Sequence, residues 1–451
     1  MSQKQHSKYL IEGGSPLKGE VAVSGAKNAA IKMIAASLLS PEEITLSNIP
    51  EIDDVSVMVE AANSLGVRTN WLDNHKLSLK ADEVVSTVLD SSISCRARST
   101  IMFMGPLLSR FGKFSIGEPG GCTIGKSRPI NRHLSAFEKM GAQIEFKDGF
   151  YTGQVQGGLK GAEIIFEKNT VMGTESVILS AVLASGTTHI LNAAQEPEID
   201  DLILLLSKMG AQIERTDDRT IRIEGVPSLH GTNHEIIPDR NEAVTFAIAA
   251  AVTRGDLLIK NVRPSDLTAF LAKLEKAGIA FESGRNSLRV WATNDQLFSP
   301  VDIETSPHPG FMTDWQQPFC VLLTQATGDS LIHDTIHTNR FEFAKELNRM
   351  GAKINVIRPS SVGLKAVISE DDYDLEKDGE PYTVAKVTGP TLLTGKRLTI
   401  PDLRAGATLV LAALSAKGKS EVFGVEHIDR GYELFDQKLT HIGAVITRVV
   451  I

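Results

Sequence analysis

No stretch of this 451-residue chain approaches the roughly 18 consecutive apolar residues that a membrane-spanning helix needs. The polar start Met1-Ser2-Gln3-Lys4 also lacks the apolar centre of a secretory signal, and the expected location is the cytoplasm. Cysteine is scarce: Cys95, Cys122 and Cys320 are the only three, an odd number without Cys-x-x-Cys spacing. That excludes a disulfide framework and a zinc ribbon, and it suits a reducing compartment. Long Lys/Arg blocks are missing and the formal net charge is −8, which disfavours a nucleic-acid groove. An anionic substrate must therefore be drawn by local cations. His333 and His337 share one side of their segment, but no third ligand accompanies them, so no metal is expected.

What is present is an ordinary globular composition, 42% hydrophobic and 23% charged, with length for two or three domains. An internal repeat organises it. Apolar helical segments end in a pair such as Gly-Ala at Gly66-Val67, Gly141-Ala142, Gly210-Ala211, Gly278-Ile279, Gly351-Ala352 and Gly443-Ala444. The spacings of 75, 69, 68, 73 and 92 residues exceed the common solenoid periods of roughly 20–50, so each unit is a small α/β fold. Within a unit, a small-residue helix such as 245–252 precedes a glycine turn, a β-rich run such as 257–262, and a second helix such as 266–276. Six units suggest two domains of three, dividing near Ile237-Pro238: residues 27–237 as one lobe, 1–26 with 238–451 as the other. The surplus in the 92-residue spacing falls at about 369–381, where Glu370-Asp371-Asp372 and Glu376-Lys377-Asp378 predict an acidic, solvated surface insertion.

Two features point to chemistry. The run Glu118-Pro119-Gly120-Gly121-Cys122-Thr123-Ile124-Gly125-Lys126-Ser127-Arg128 puts a lone thiol on a glycine-rich loop beside two cations, which lower a thiol pKa and attract anions. The alternative is an ordinary turn with an unreactive cysteine. In addition, equivalent positions of the repeats are charged. First helices begin near Lys27-Asn28, Arg98, Glu175, Glu242, Asp314 and Arg404, and second helices near Asp54, Arg128, Asp200, Asp266, Arg340 and Arg430. A helix N-terminus already carries partial positive charge, so the cations Lys27, Arg98 and Arg404 need a bound anion or a neighbouring acid such as Asp402 beside Arg404 or Asp429 beside Arg430. Asp314 itself reads equally as a helix N-cap, since Thr313-Asp314 precedes an apolar segment. Two such domains face to face would offer a site for a small, multiply charged anion, and closure would expel water.

The segments Ser24-Gly25-Ala26-Lys27-Asn28-Ala29, Pro119 to Gly125, Glu196-Pro197-Glu198-Ile199, Pro238-Asp239-Arg240, Pro307-His308-Pro309 with Thr313-Asp314, Asn339-Arg340-Phe341, Asp402-Leu403-Arg404-Ala405 and His427 to Tyr432 together resemble the enolpyruvyl transferase family. The resemblance spans nearly the whole chain. It implies an α/β fold of two inside-out domains, each of three repeated β-α-β-α-β-β units. It implies transfer of the enolpyruvyl group of phosphoenolpyruvate to the 3-hydroxyl of UDP-N-acetylglucosamine with release of phosphate, the first committed step of peptidoglycan synthesis, and no metal or organic cofactor. By the same resemblance Cys122 is the general acid toward the methylene carbon and Asp314 the base near the sugar hydroxyl. Lys27, Arg98, Arg128, Arg404 and Arg430 hold phosphate and carboxylate with Arg340 close by. Asn28 binds sugar and intermediate, and Arg128, Pro129, Lys168, Thr170 and Val171 hold the uridine diphosphate. The chemistry needs these types: an acid and a base on opposite faces of the double bond, and guanidinium forks for the anionic groups. Other acceptors, namely another uridine nucleotide or shikimate phosphate, and a non-catalytic nucleotide-sugar binding protein are the competing expectations.

Overall fold

The computed structural model describes residues 6–120, 130–370 and 373–451. Among them the strands form six four-stranded sheets. One pairing scheme recurs. Glu163–Ile165 runs parallel to Thr187–Leu191, which is antiparallel to Thr220–Glu224, itself antiparallel to Gln212–Asp217. The helix Val171–Ala181 joins the parallel strands and Pro197–Lys208 leads to the antiparallel pair, giving the order β-α-β-α-β-β. Val88–Leu89, Lys113–Gly117, Phe150–Gln154 and Gln143–Lys147 pair in the same way.

Strands distant in sequence complete three sheets. Thr232–Glu235 lies parallel to Glu43–Ser47. Lys18–Ala22 lies parallel to Asp256–Lys260, and Ser7–Glu12 sits between Lys419–Phe423 and Val445–Val450. The described chain accordingly divides into two compact units. One gathers residues up to Ser24 and from Pro238 to Ile451, the other the described residues of 25–237.

Each second helix stops for the same physical reason. Gly66, Gly141, Gly210, Gly278, Gly351 and Gly443 have φ between 80° and 110°, a conformation that costs an L side chain about 1–2 kcal/mol. The following residue then donates to a carbonyl five positions earlier, as Val67 to Ala62 and Ala352 to Leu347 do at 3.0 Å. The repeat in the sequence is thus a repeat of left-handed helix caps.

The first helices are the cores. Every residue of Arg240–Val252 is buried, and it packs on Thr313–Leu323 and Leu403–Ser415. In the other unit Lys27–Ala36 and Val171–Ala181 are buried over most of their length. Helices apolar on all sides belong inside. The sheets lie around them with one face inward; in Thr187–Leu191, Thr188 and Ile190 are buried while His189 is exposed.

The surplus residues of the long repeat lie between Ile354–Ile357 and Val384–Gly389 and contain a 3-10 turn, Pro359–Val362, and a short helix, Leu375–Asp378. Glu376, Lys377 and Asp378 are exposed, as an acidic loop should be. Glu370 corrects that expectation: its side chain is only 5% exposed, because Thr338 and His337 donate to it.

Candidate active site

The residues expected to act fall on both units. In the unit of residues 25–237, Lys27 is the first residue of Lys27–Ala36, a helix without a side-chain cap. Its Nζ donates to Asp54 Oδ2 at 2.9 Å, so an acid at the start of the helix Asp53–Leu65 balances the cation. Asn28 is half-buried, and its carbonyl accepts from Lys32 Nζ at 2.7 Å. Gly25, two residues before Lys27, has no alternative: a Cβ there would stand 1.6 Å from the Asn48 carbonyl oxygen.

Arg98 opens the 3-10 run Arg98–Phe103 and is half-buried. Burial first, then the charges of Arg98 and Arg132, depress the nearby His133 to about 3, so that imidazole is neutral and hydrogen-bonds Ser176 Oγ at 2.7 Å. Thr170 caps Val171–Ala181, its Oγ1 accepting from Gly173 N at 3.2 Å, with Lys168 and Val171 half-buried on either side. The cap uses one lone pair of the Thr170 hydroxyl. Cys122, Arg128 and Pro129 lie outside the described residues. The entry to their loop is described: Gly120 N donates to Ser94 O at 3.1 Å, and a Cβ on Gly120 would meet the Cys95 carbonyl oxygen at 1.7 Å. Of the other two cysteines, Cys95 is exposed and Cys320 buried, the latter with its thiol pushed up by burial.

In the unit of residues 238–451, three of the expected residues meet. Asp314 sits in the first turn of Thr313–Leu323, whose N-cap is Met312 without a side-chain bond. The N-cap reading of Asp314 is therefore overturned: its carboxylate serves two guanidinium groups instead. Arg340 Nη2 donates to Oδ1 at 2.5 Å and Arg404 Nε to Oδ2 at 3.0 Å. Side-chain exposure is 2% for Arg340, 6% for Arg404 and 23% for Asp314, so the acid is the member open to a ligand. Charge-assisted bonds of this kind are short and strong, and their partners are held in place by burial.

Arg404 is the second residue of Leu403–Ser415. Asp402 caps that helix, accepting from Arg404 N at 2.9 Å, while the Arg404 side chain goes to Asp314 rather than back to Asp402. Burial opposes its charge, but Tyr432, Asp314 and Asp239 outweigh that and hold the guanidinium above its ordinary value. It lies 5.4 Å from the Tyr432 ring centroid, and Tyr432 hydroxyl is fixed by Thr245 Oγ1 at 2.8 Å. Tyr432 ends the segment His427 to Tyr432 that carries the family resemblance, whereas the sequence marks Thr245 only as part of a small-residue helix. Arg340 Nε and Nη1 are buried without hydrogen-bond partners among the described residues, two donors beside the carboxylate. Arg430 follows the short helix Glu426–Asp429 and is half-buried; Asp429 accepts from Arg448 Nη2 at 2.5 Å.

His333 Nδ1 lies 3.3 Å from Glu304 and His337 Nδ1 3.1 Å from Glu370. Among the described residues no group of three or more His, Cys, Asp or Glu side chains could hold a metal ion, and no helix is long and apolar enough to cross a membrane.

Known proteins resemble this chain over nearly all of its length. The family model described as EPSP synthase (3-phosphoshikimate 1-carboxyvinyltransferase) matches residues 11–439. A UDP-N-acetylglucosamine 1-carboxyvinyltransferase of Magnetococcus marinus is 42% identical over 442 residues, 98% of this chain and 99% of that one. A relative of the same name from Koribacter versatilis is 41% identical over 445 residues, 98% of this chain and 96% of its own. Among solved structures, an enolpyruvyl transferase, NikO, of Streptomyces tendae superposes with a TM-score of 0.85 at 23% identity, covering 99% of this chain and all of that one, a likeness of fold.

Proposed function

We propose that this chain, which belongs to the enolpyruvyl transferase family, transfers the enolpyruvyl group of phosphoenolpyruvate to the 3-hydroxyl of UDP-N-acetylglucosamine and releases phosphate. The observation that carries the reading is identity of 40–42% with relatives of that activity across 98% of the chain. In this reading the protein is an enzyme of peptidoglycan synthesis that works in the cytoplasm.

Asp314 is the base in this reading. It takes the proton of the sugar hydroxyl as that oxygen bonds to C2 of phosphoenolpyruvate, while Cys122 delivers a proton to C3. A C3 proton then passes to the Cys122 thiolate and the bond from C2 to the phosphate oxygen breaks, restoring the double bond and releasing phosphate. Clamping by Arg340 and Arg404 supports the role of Asp314, because a carboxylate fixed at both oxygens cannot swing away from the hydroxyl it serves. Lys27, Arg98, Arg128, Arg404 and Arg430 neutralise the phosphate and carboxylate of the donor, whose charges would otherwise repel one another. Asn28 holds the sugar, and Lys168, Thr170, Val171, Arg128 and Pro129 the uridine diphosphate.

The test is phosphate release from phosphoenolpyruvate by the full chain with each acceptor in turn. UDP-N-acetylglucosamine should support turnover and shikimate 3-phosphate should not. Release with shikimate 3-phosphate alone would replace the acceptor, and binding of the nucleotide sugar without any release would reduce the protein to a binding module.

A further inference from the structure

The insertion between Ile354–Ile357 and Val384–Gly389 reaches the loop that carries Arg340. Glu370, inside that insertion, accepts from Thr338 Oγ1 at 2.7 Å, and its other oxygen lies 3.1 Å from His337 Nδ1. Next to it, Ser369 N donates to the Thr335 carbonyl at 3.0 Å. Residues 335–338 are thus stitched to the insertion at three points, directly ahead of Arg340.

Two other anchors hold the same loop. Asp334 Oδ1 accepts from the backbone N–H groups of Ile336 and His337 at 2.9 and 3.0 Å, and its Oδ2 accepts from Thr313 Oγ1 at 2.6 Å. Thr313 is the neighbour of Asp314, so the start of the loop is tied to the helix that bears the acid. At the far end the Arg340 carbonyl accepts from the Gln317 amide at 3.4 Å. Glu370 holds the middle. The insertion flanks the loop elsewhere too, since Tyr373, Pro381 and Tyr382 line one cavity of about 830 Å³ with Thr338, Arg340 and Phe341.

The Arg340 guanidinium is buried, and among the described residues its Nε and Nη1 have no hydrogen-bond partner. An underpaired buried cation is costly, and a loop free to move would carry it toward water. Something must resist that. We propose that Glu370 is a positioning residue for the reaction: by fixing Thr338 and His337 it keeps Arg340 against Asp314. The inference rests on the functional reading above, and its test separates the two.

Replacing Glu370→Ala should lower kcat about tenfold while the KM of each substrate stays within about twofold, the pattern of an interaction realised in the transition state. Glu370→Gln, which keeps an acceptor for Thr338, should restore kcat to within about threefold of the parent. Thr338→Val should show a smaller loss of the same kind, not additive with Glu370→Ala, and it carries the test if the alanine variant does not fold. Hydrogen exchange supplies a readout without substrate: the Ile336 and His337 amides should exchange faster in Glu370→Ala, with the core helices unchanged. If the parent itself releases no phosphate, the functional reading fails and exchange alone decides the positioning claim. Parental kcat and parental exchange in Glu370→Ala overturn the proposal, as does a loss that appears only as a raised KM.

Discussion

Asp314 and Glu175 occupy comparable places, each on a first helix of a repeat, yet their surroundings make them different groups. Asp314 keeps 23% of its side chain open and receives one guanidinium on each oxygen. Glu175 is 1% exposed and meets Lys32 Nζ at 3.2 Å, and among the described residues its second oxygen has no hydrogen-bond partner. Burial pushes the Glu175 carboxyl up to about 7 against the pull of Lys32, and Glu198 and Glu196 add to the rise. Position on the fold therefore does not decide the charge state and access of an acid. The number of cations in reach and the extent of burial do.

Asp314→Asn breaks the comparison most severely. It keeps the shape but removes the charge shared by two guanidinium groups, and turnover should fall by about 10²–10⁴, the range of a lost general base. Urea denaturation of the same variant should show a folded protein; near-parental phosphate release would remove Asp314 from the mechanism.

Glu175→Gln probes the other acid through pH. Its folded pKa of about 7 is raised above the ordinary 4.5, so the native state binds the extra proton. The stability this contributes is complete below pH 4.5 and is lost as pH rises to 7. Relative to the parent, the glutamine variant should gain up to roughly 3 kcal/mol of unfolding free energy between pH 5 and pH 8. A constant difference across that range would mean that Glu175 titrates normally.

Arg404→Lys sharpens the clamp. An ammonium cannot reproduce both the Nε bond and the placement over Tyr432, and kcat/KM should drop about 10- to 100-fold, equivalent to about 1.5–3 kcal/mol for one charge-assisted bond. An unchanged kcat/KM would show that any cation suffices there. Asp54→Asn is the mildest change. It leaves Lys27 with a neutral partner, and denaturant titration should register a loss of about 1–2 kcal/mol. If stability is untouched, the Lys27–Asp54 pair is not a structural one.

The fold was readable because its punctuation is local. A glycine that must adopt positive φ at every second-helix end announces itself at a fixed period, and the small residues of the first helices mark segments buried on all sides. The long-range strand partners, such as Ser7–Glu12 between two C-terminal strands, follow once the units are counted. The site was less readable. Thr313-Asp314 before an apolar run is what a capped helix looks like, and only the arrival of Arg340 and Arg404 from other segments decides against the cap. Glu370 sits in an acidic run whose composition promises solvent, and no local signal shows that Thr338 and His337 bury it. Side-chain partners drawn from separate elements leave no periodic trace in the chain.

The central claim is that Asp314, held by two guanidinium groups, takes the acceptor proton during enolpyruvyl transfer. Phosphorus NMR of phosphoenolpyruvate with UDP-N-acetylglucosamine, run in parallel on the parent and on Asp314→Asn, tests it most directly. The parent should form inorganic phosphate and the enolpyruvyl ether of the nucleotide sugar in equal amounts, and the variant should bind both substrates while forming both products about 10²–10⁴ times more slowly. Formation of the ether by the variant at the parental rate would contradict the account.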